Sequence, residues 1–291
     1  MSAQSSILSP VPPHASFLFA DLRHGVDVQT ALAELAALPS APHLVVGVGP
    51  SFLAALGTSI DGVRPMPHLD GAPVPIPSTP DCLFVRVAGD DPGEVLHRER
   101  EVLALLPSFE VVDRVLGFVH RDSRDLSGYI DGTENPTGED ATVAAFRAGA
   151  GPGLDGSAVV AVQRWLHDLD ALEQMPRAAQ NAMIGRDQDS NEELEDAPES
   201  AHVKRTAQED FEPEAFVVRR SMPWRDERGA GLVFVSFSAT LDPFEAQLRR
   251  MAGEDDGVVD ALFSFTRPVT GATFWCPPVS GSSFDLTALP G

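Results

Sequence analysis

Residues 83–103, LFVRVAGDDPGEVLHREREVL, decide the fold once they are set beside residues 232–251, LVFVSFSATLDPFEAQLRRM. Each stretch begins with an apolar run of strand length, passes an Asp-Pro pair and continues as a helix. Pro92 suits the first turn of a helix because the N–H it lacks would go unbonded there, and Asp91 before it is a good N-cap. The second stretch repeats the order, with Asp242-Pro243 opening a helix that runs to Met251. The recurrence points to internal duplication of one βαβ-type unit.

Working outward, residues 1–14 read as an arm containing Pro and Ser, and 62–80 as a long loop crowded with prolines. Strands are expected at 15–22, 43–48, 82–87, 158–167, 216–222, 232–238 and 271–275. Helices are expected at 28–38, 90–106, 169–175, on to about 184, at 242–251 and at 258–262. Short strands alternating with helices in two similar halves give an α+β fold.

A chain of 291 residues with 43% apolar and 22% charged residues can bury a substantial core and divides naturally into two domains. Its formal net charge of -22 opposes nucleic acid and anionic membrane as partners, while attracting cations such as manganese(II). The start, MSAQSSILSPVPPHASF, has no basic segment followed by a long apolar run, so a cytoplasmic location is expected. Cys82 and Cys276 stand alone, without CxxC or CxxCH spacing, which excludes a thiolate zinc knuckle and covalent haem attachment. The acidic stretch 187–199 starts like a calcium loop. However, Glu192 takes the sixth position, where glycine is needed, and Pro198 the twelfth, so it reads as solvated loop.

The chemistry concentrates in three segments. In GYIDGTENP, Gly128 to Pro136, two glycines bracket Asp131, so the backbone is free to take positive φ or to let a flat ligand approach it closely. Asn135-Pro136 ends the segment, since the residue before proline is pushed away from helix. In FVVRRSMPW, strand alternation places Val217, Arg219 and Ser221 on one face, offering a guanidinium and a hydroxyl to one oxygen-rich ligand. His202, in SAHVKRT, ends the long polar excursion, where an imidazole is available to a cavity.

GYIDGTENP, VQRWLHDLD, the acidic loop leading to AHVKRT, VVRRSMPW and FTRPVTGATFWCPP, in this order, resemble the dye-decolorizing (DyP-type) peroxidases, most similar to the bacterial B-type branch. The resemblance covers most of the chain and is strongest from Arg114 to Pro278. It implies two ferredoxin-like halves of the dimeric α+β barrel type, residues 1–139 with the GxxDG loop and 140–291 with the proximal histidine. It also implies one haem b per chain, with His202 as proximal iron ligand and Asp131 and Arg219 as the distal pair. Ser221 becomes a further distal polar residue, and Arg186, in the IGR segment, a propionate partner.

The implied activity is reduction of hydrogen peroxide through a ferryl state, with oxidation of dyes, phenolics or similar one-electron donors. Whether Asp131 or Arg219 dominates peroxide activation stays open from sequence. So does the acidic partner of His202, because Ser264 stands where the family has an acid and Asp260 is the nearest carboxylate. Tyr129 and the tryptophans 165, 224 and 275 are the aromatic candidates for electron entry, with core packing the alternative role. The family implies a homo-oligomer. Its packaging into encapsulin shells uses a C-terminal tail, and SGSSFDLTALPG gives that no support. A haem carrier or iron-releasing protein of the same fold, or a non-haem α+β binding module, are the competing readings.

Overall fold

A computed structural model describes residues 2–69, 72 and 74–290. The first part of the chain forms β1 (His14–Leu22), α1 (Val28–Ala37), β2 (Leu44–Val48), α2 (Pro50–Ala55), β3 (Leu83–Gly89), α3 (Pro92–Ala104) and β4 (Phe109–Phe118). After α4 (Gly138–Ala145) come β5 (Ala158–His167), α5 (Leu169–Gln174), α6 (Arg177–Ile184) and the short α7 (His202–Arg205). The remainder comprises β6 (Val218–Arg219), β7 (Met222–Asp226), β8 (Gly229–Ser238), α8 (Asp242–Met251), β9 (Thr266–Pro268) and β10 (Ala272–Cys276).

The class is α+β, as expected, but the strands of both parts join one sheet. Its antiparallel order is β7-β4-β1-β3-β2-β10-β5-β8, and β8 pairs back to β7, so eight strands close into a barrel-like ring. β6 and β9 extend it along β8 and β5. Two thin seams join the N-terminal strands to the C-terminal ones, at Gly117 opposite Trp224 and at Val48 opposite Trp275. Close backbone approach makes the first possible: a Cβ on Gly117 would lie 2.7 Å from the Phe17 ring and 3.0 Å from Met222 Cβ.

Period-two alternation sorts the side chains. Phe17, Phe19, Phe84, Phe237 and Phe274 fill the ring with valines from β5 and β8. The outward face of β1 to β3 carries Leu18, Val46, Val85 and Val87, covered by α1 and α3. On the C-terminal side, Val159 and Ala161 pack outward against Leu241, Phe244 and Leu248 at and within α8. Farther along β5, the same face turns Gln163, Trp165 and His167 towards the large cavity described below.

The two strand-helix units differ in detail. Asp91 caps α3 as expected, accepting from Gly93 N at 2.7 Å and Glu94 N at 3.0 Å. Asp242 instead lies inside α8 and holds Arg64 at 2.8 Å, with Leu241 at the N-cap and no side-chain cap. The strand expected at 216–222 is split, because Val235 N bonds the Ser221 hydroxyl oxygen in place of a ladder carbonyl. The helix expected at 258–262 is a short 3-10 turn, Ala261–Ser264, started by Asp260. β4 is an addition that the sequence reading lacked. Among the described residues, no helix is long and apolar enough to cross a membrane.

Candidate active site

The GYIDGTENP loop is built as its glycines suggest. Gly128 and Gly132 have φ of 90° and 83°, where a side chain would be strained. A Cβ on Gly128 would also come 2.5 Å from the Gln188 amide. Asn135 does more than precede a proline. Its amide oxygen accepts from Arg219 N at 2.7 Å and its amide nitrogen donates to Arg219 O at 3.1 Å. One side chain thus clips the loop to the arginine's own backbone. Asp131 Oδ1 and Arg219 Nε stand 3.9 Å apart, both side chains largely buried.

His202 opens α7, and Asp260, with a fully buried side chain, lies 2.7 Å from its Nδ1. The carboxylate's other oxygen accepts from Leu262 N at 2.8 Å. Ser264 is excluded as the partner because its hydroxyl faces the Met183 sulfur at 3.1 Å. With Nδ1 serving Asp260, Nε2 of His202 is the nitrogen left to a ligand, and none of the described residues bonds it.

Asp131, Arg219 and His202 line one cavity of about 880 Å³, including its open mouth. Its walls are mainly apolar: Trp165, Leu232, Phe234, Phe244, Met251 and Phe265 among them. A smaller adjoining cavity is lined by Asp131, Arg219 and Ser221, so the hydroxyl joins the pair there and not in the main chamber. Arg186 faces a third recess, shared with Asp131, Arg219 and His202. Its guanidinium is held by Glu134 and, at 3.1 Å, by Glu193.

A second histidine in the chamber escaped the sequence reading. His167 has both ring nitrogens engaged, Nδ1 with Thr266 Oγ1 at 2.6 Å and Nε2 with Asp125 Oδ1 at 3.0 Å. It therefore has no nitrogen to offer a metal, which singles out His202. Burial alone would raise the Asp125 carboxyl. The bond and charge of His167, with the Ser127 amide, outweigh burial and hold it below the usual carboxylate range. VQRWLHDLD carried His167 in plain view; only its pairing with a carboxylate 42 residues away was hidden.

Tyr129 also lines the chamber, and its hydroxyl donates to Asn181 Oδ1 at 2.6 Å. Burial pushes that hydroxyl up to about 12. Trp165 is at the wall, stacked on Phe263, whereas Trp224 and Trp275 are core residues. In the acidic loop, Asp187 accepts from the backbone of Asp189 and Ser190, and no cluster of metal-ligating side chains forms among the described residues.

Comparison with known proteins gives a consistent result. A family model described as Dyp-type peroxidase, C-terminal, matches residues 122–281. The dye-decolorizing peroxidase of Mycobacterium tuberculosis is 31% identical, with 94% of this chain and 88% of that protein covered. The namesake from Mycolicibacterium paratuberculosis is 30% identical, with 94% and 83% covered. Among solved structures, a dye-decolorizing protein from Vibrio cholerae aligns with a TM-score of 0.82 at 31% identity, covering 94% of this chain and 96% of that one. A variant of Rhodococcus jostii DypB, solved in complex with heme, aligns at 0.85 and 28% identity, covering 94% and 96%.

Proposed function

Because the chain belongs to the Dyp-type peroxidase family, we propose that its chamber holds haem b, one per chain, and that it reduces hydrogen peroxide at the expense of small one-electron donors such as dyes and phenolics. The residues fit the group. An apolar slab suits the macrocycle, the Nε2 nitrogen of His202 is free for iron, and Arg186 at the recess suits a propionate. Haem supplies the redox-active iron. The protein supplies the rest.

His202 would hold the iron, and Asp260 fixes its tautomer by accepting a hydrogen bond from Nδ1–H, which makes Nε2 a stronger donor. Bound haem would supply the two electrons that break the O–O bond of peroxide, and Asp131 is the group placed to accept the proton from one peroxide oxygen and pass it to the other. Arg219, clamped by Asn135, directs its N–H groups at the charge that builds on the departing oxygen. Ser221 helps to order the polar end of the smaller cavity. The observation that carries this reading is the convergence of His202, Asp131 and Arg219 on one chamber, with the imidazole already polarised from behind.

We also read the ring as two ferredoxin-like halves meeting near residue 139. The orders β4-β1-β3-β2 and β10-β5-β8-β7 are the same βαββαβ arrangement taken twice, which supports the division. The two buried free cysteines suit a reducing cytoplasm, and the charge of -22 suits a protein without nucleic-acid or anionic-membrane partners. Assembly as a homo-oligomer is part of the same reading.

The test is turnover of an anthraquinone dye by haem-loaded protein. Oxidation should require peroxide and fail in the haem-free chain; peroxide-independent or haem-independent turnover would refute the assignment. Asp260→Asn removes the charge behind the imidazole and leaves one acceptor oxygen for the two donors that Asp260 serves, His202 Nδ1 and Leu262 N. It should weaken haem retention by about 10- to 100-fold, as measured by haem transfer to an acceptor protein.

A further inference from the structure

The smaller cavity beside the chamber leads somewhere of its own. It meets the chamber at Asp125, Asp131, Arg219 and Leu232, and extends from there to Val11 of the N-terminal arm and to the turn after β4, at Val119, His120 and Ser123. Ser123 is exposed, so the cavity reaches the surface on the side of the arm. Its volume, about 410 Å³ with the solvent at its mouth, is less than half that of the chamber.

Both sides of this mouth are built into the site. On one side Arg220, next in sequence to Arg219, donates from Nε to Ser9 O at 2.8 Å and from Nη2 to Leu8 O at 3.0 Å. Val119 N donates to Pro13 O at 3.0 Å, so Val11 lies between two anchored stretches of the arm, half-buried against the core of the ring. On the other side, Arg121 and Ser123 have φ of 49° and 69°, a left-handed conformation that costs energy in residues other than glycine. Ser123 O accepts from Asp131 N at 3.3 Å, so this strained turn carries the backbone of the distal acid.

The lining is polar and balanced in charge. Asp125 and Asp131 are matched by Arg124 and Arg219. Asp125 is already engaged by His167 and Ser127 N, and Arg124 by Asp122, Gly128 O and Gln188 O. A small neutral molecule with hydroxyl groups suits such a passage, whereas a bulky charged dye does not.

We propose that this cavity is the inlet for hydrogen peroxide, separate from the opening that serves the reducing donor, and that Val11 limits the size of the peroxide admitted. The proposal rests on the haem peroxidase reading above. It adds a route that delivers peroxide directly between Asp131 and Arg219, past the Ser221 hydroxyl.

The test is stopped-flow mixing of haem-loaded wild type, Val11→Trp and Val11→Ala with hydrogen peroxide, tert-butyl hydroperoxide and cyanide. Val11→Trp should slow the reaction with hydrogen peroxide by about 10-fold. The shift of the Soret band by cyanide, which reports entry without turnover, should slow in parallel. Haem content, and kcat/KM for an anthraquinone dye, which reports the donor half of the cycle, should match wild type. Val11→Ala should raise the rate with tert-butyl hydroperoxide relative to hydrogen peroxide by about 10-fold. If Val11→Trp does not fold, Val11→Ala decides the matter. Wild-type rates in the variants, or slower turnover with unchanged cyanide entry, overturn the inlet and leave the peroxidase reading intact. Haem-loaded wild type that does not react with peroxide overturns both.

Discussion

His202→Ala is expected to abolish stable haem binding, with haem affinity falling by more than about 100-fold, since loss of an outer partner alone costs about 10- to 100-fold. The Soret band should be lost or strongly altered, and peroxide-dependent turnover should disappear with it. The substitution also strands Asp260, whose side chain is fully buried and keeps only the Leu262 amide. Breaking a buried pair from one side costs about 3 kcal/mol, read as a lower midpoint in urea. Replacing both residues, His202→Ala with Asp260→Ala, should restore much of the stability and none of the haem affinity. That contrast separates the role of ligand from that of packing.

Arg219→Leu is the second large effect. It should leave haem content unchanged while lowering kcat/KM for peroxide by about 100- to 1,000-fold, the usual cost of removing one positioned donor at a developing charge. The residue is firmly held: Asn135 bonds both its backbone N and O, so its guanidinium starts from a fixed base. Asp131, 24% exposed and 3.9 Å from Arg219, is held less tightly. Asp131→Asn should therefore cost less than Arg219→Leu. Stopped-flow mixing with peroxide measures both, and equal rates for Arg219→Leu and wild type would remove the arginine from the step. Arg219→Lys should recover little, because an ammonium cannot reproduce the planar fork.

Local chemistry was legible in the sequence wherever one residue's backbone demands revealed its job. Gly128 and Gly132 do adopt positive φ, and Asp91 does cap its helix. Arg219 and Ser221 do share a cavity wall, although the strand between them is broken. What escaped depends on partners far along the chain. β4 was missed because its pattern is blurred: Val112 and Leu116 are exposed, Asp113 is partly buried under Arg164 and Arg228, and the register slips opposite Phe19 and Ala20. Closure of the ring rests on single register pairs across glycine and tryptophan, which leave no periodic signal. His167 with Asp125, and Asn135 with Arg219, are likewise contacts that only the folded chain creates. The partner of His202 was undecidable from spacing, and the structure selects Asp260 over Ser264.

When haem is bound, His202 is expected to hold its iron through the free nitrogen, with Asp131 and Arg219 facing the group from the other side. The direct measurement is the iron anomalous peak in crystals of the haem-loaded protein. One peak per chain is expected, within bonding distance of His202 Nε2, with the Asp131 and Arg219 side chains on the opposite face of the porphyrin. Iron bonded to any other residue, or all three side chains on one face, would contradict it.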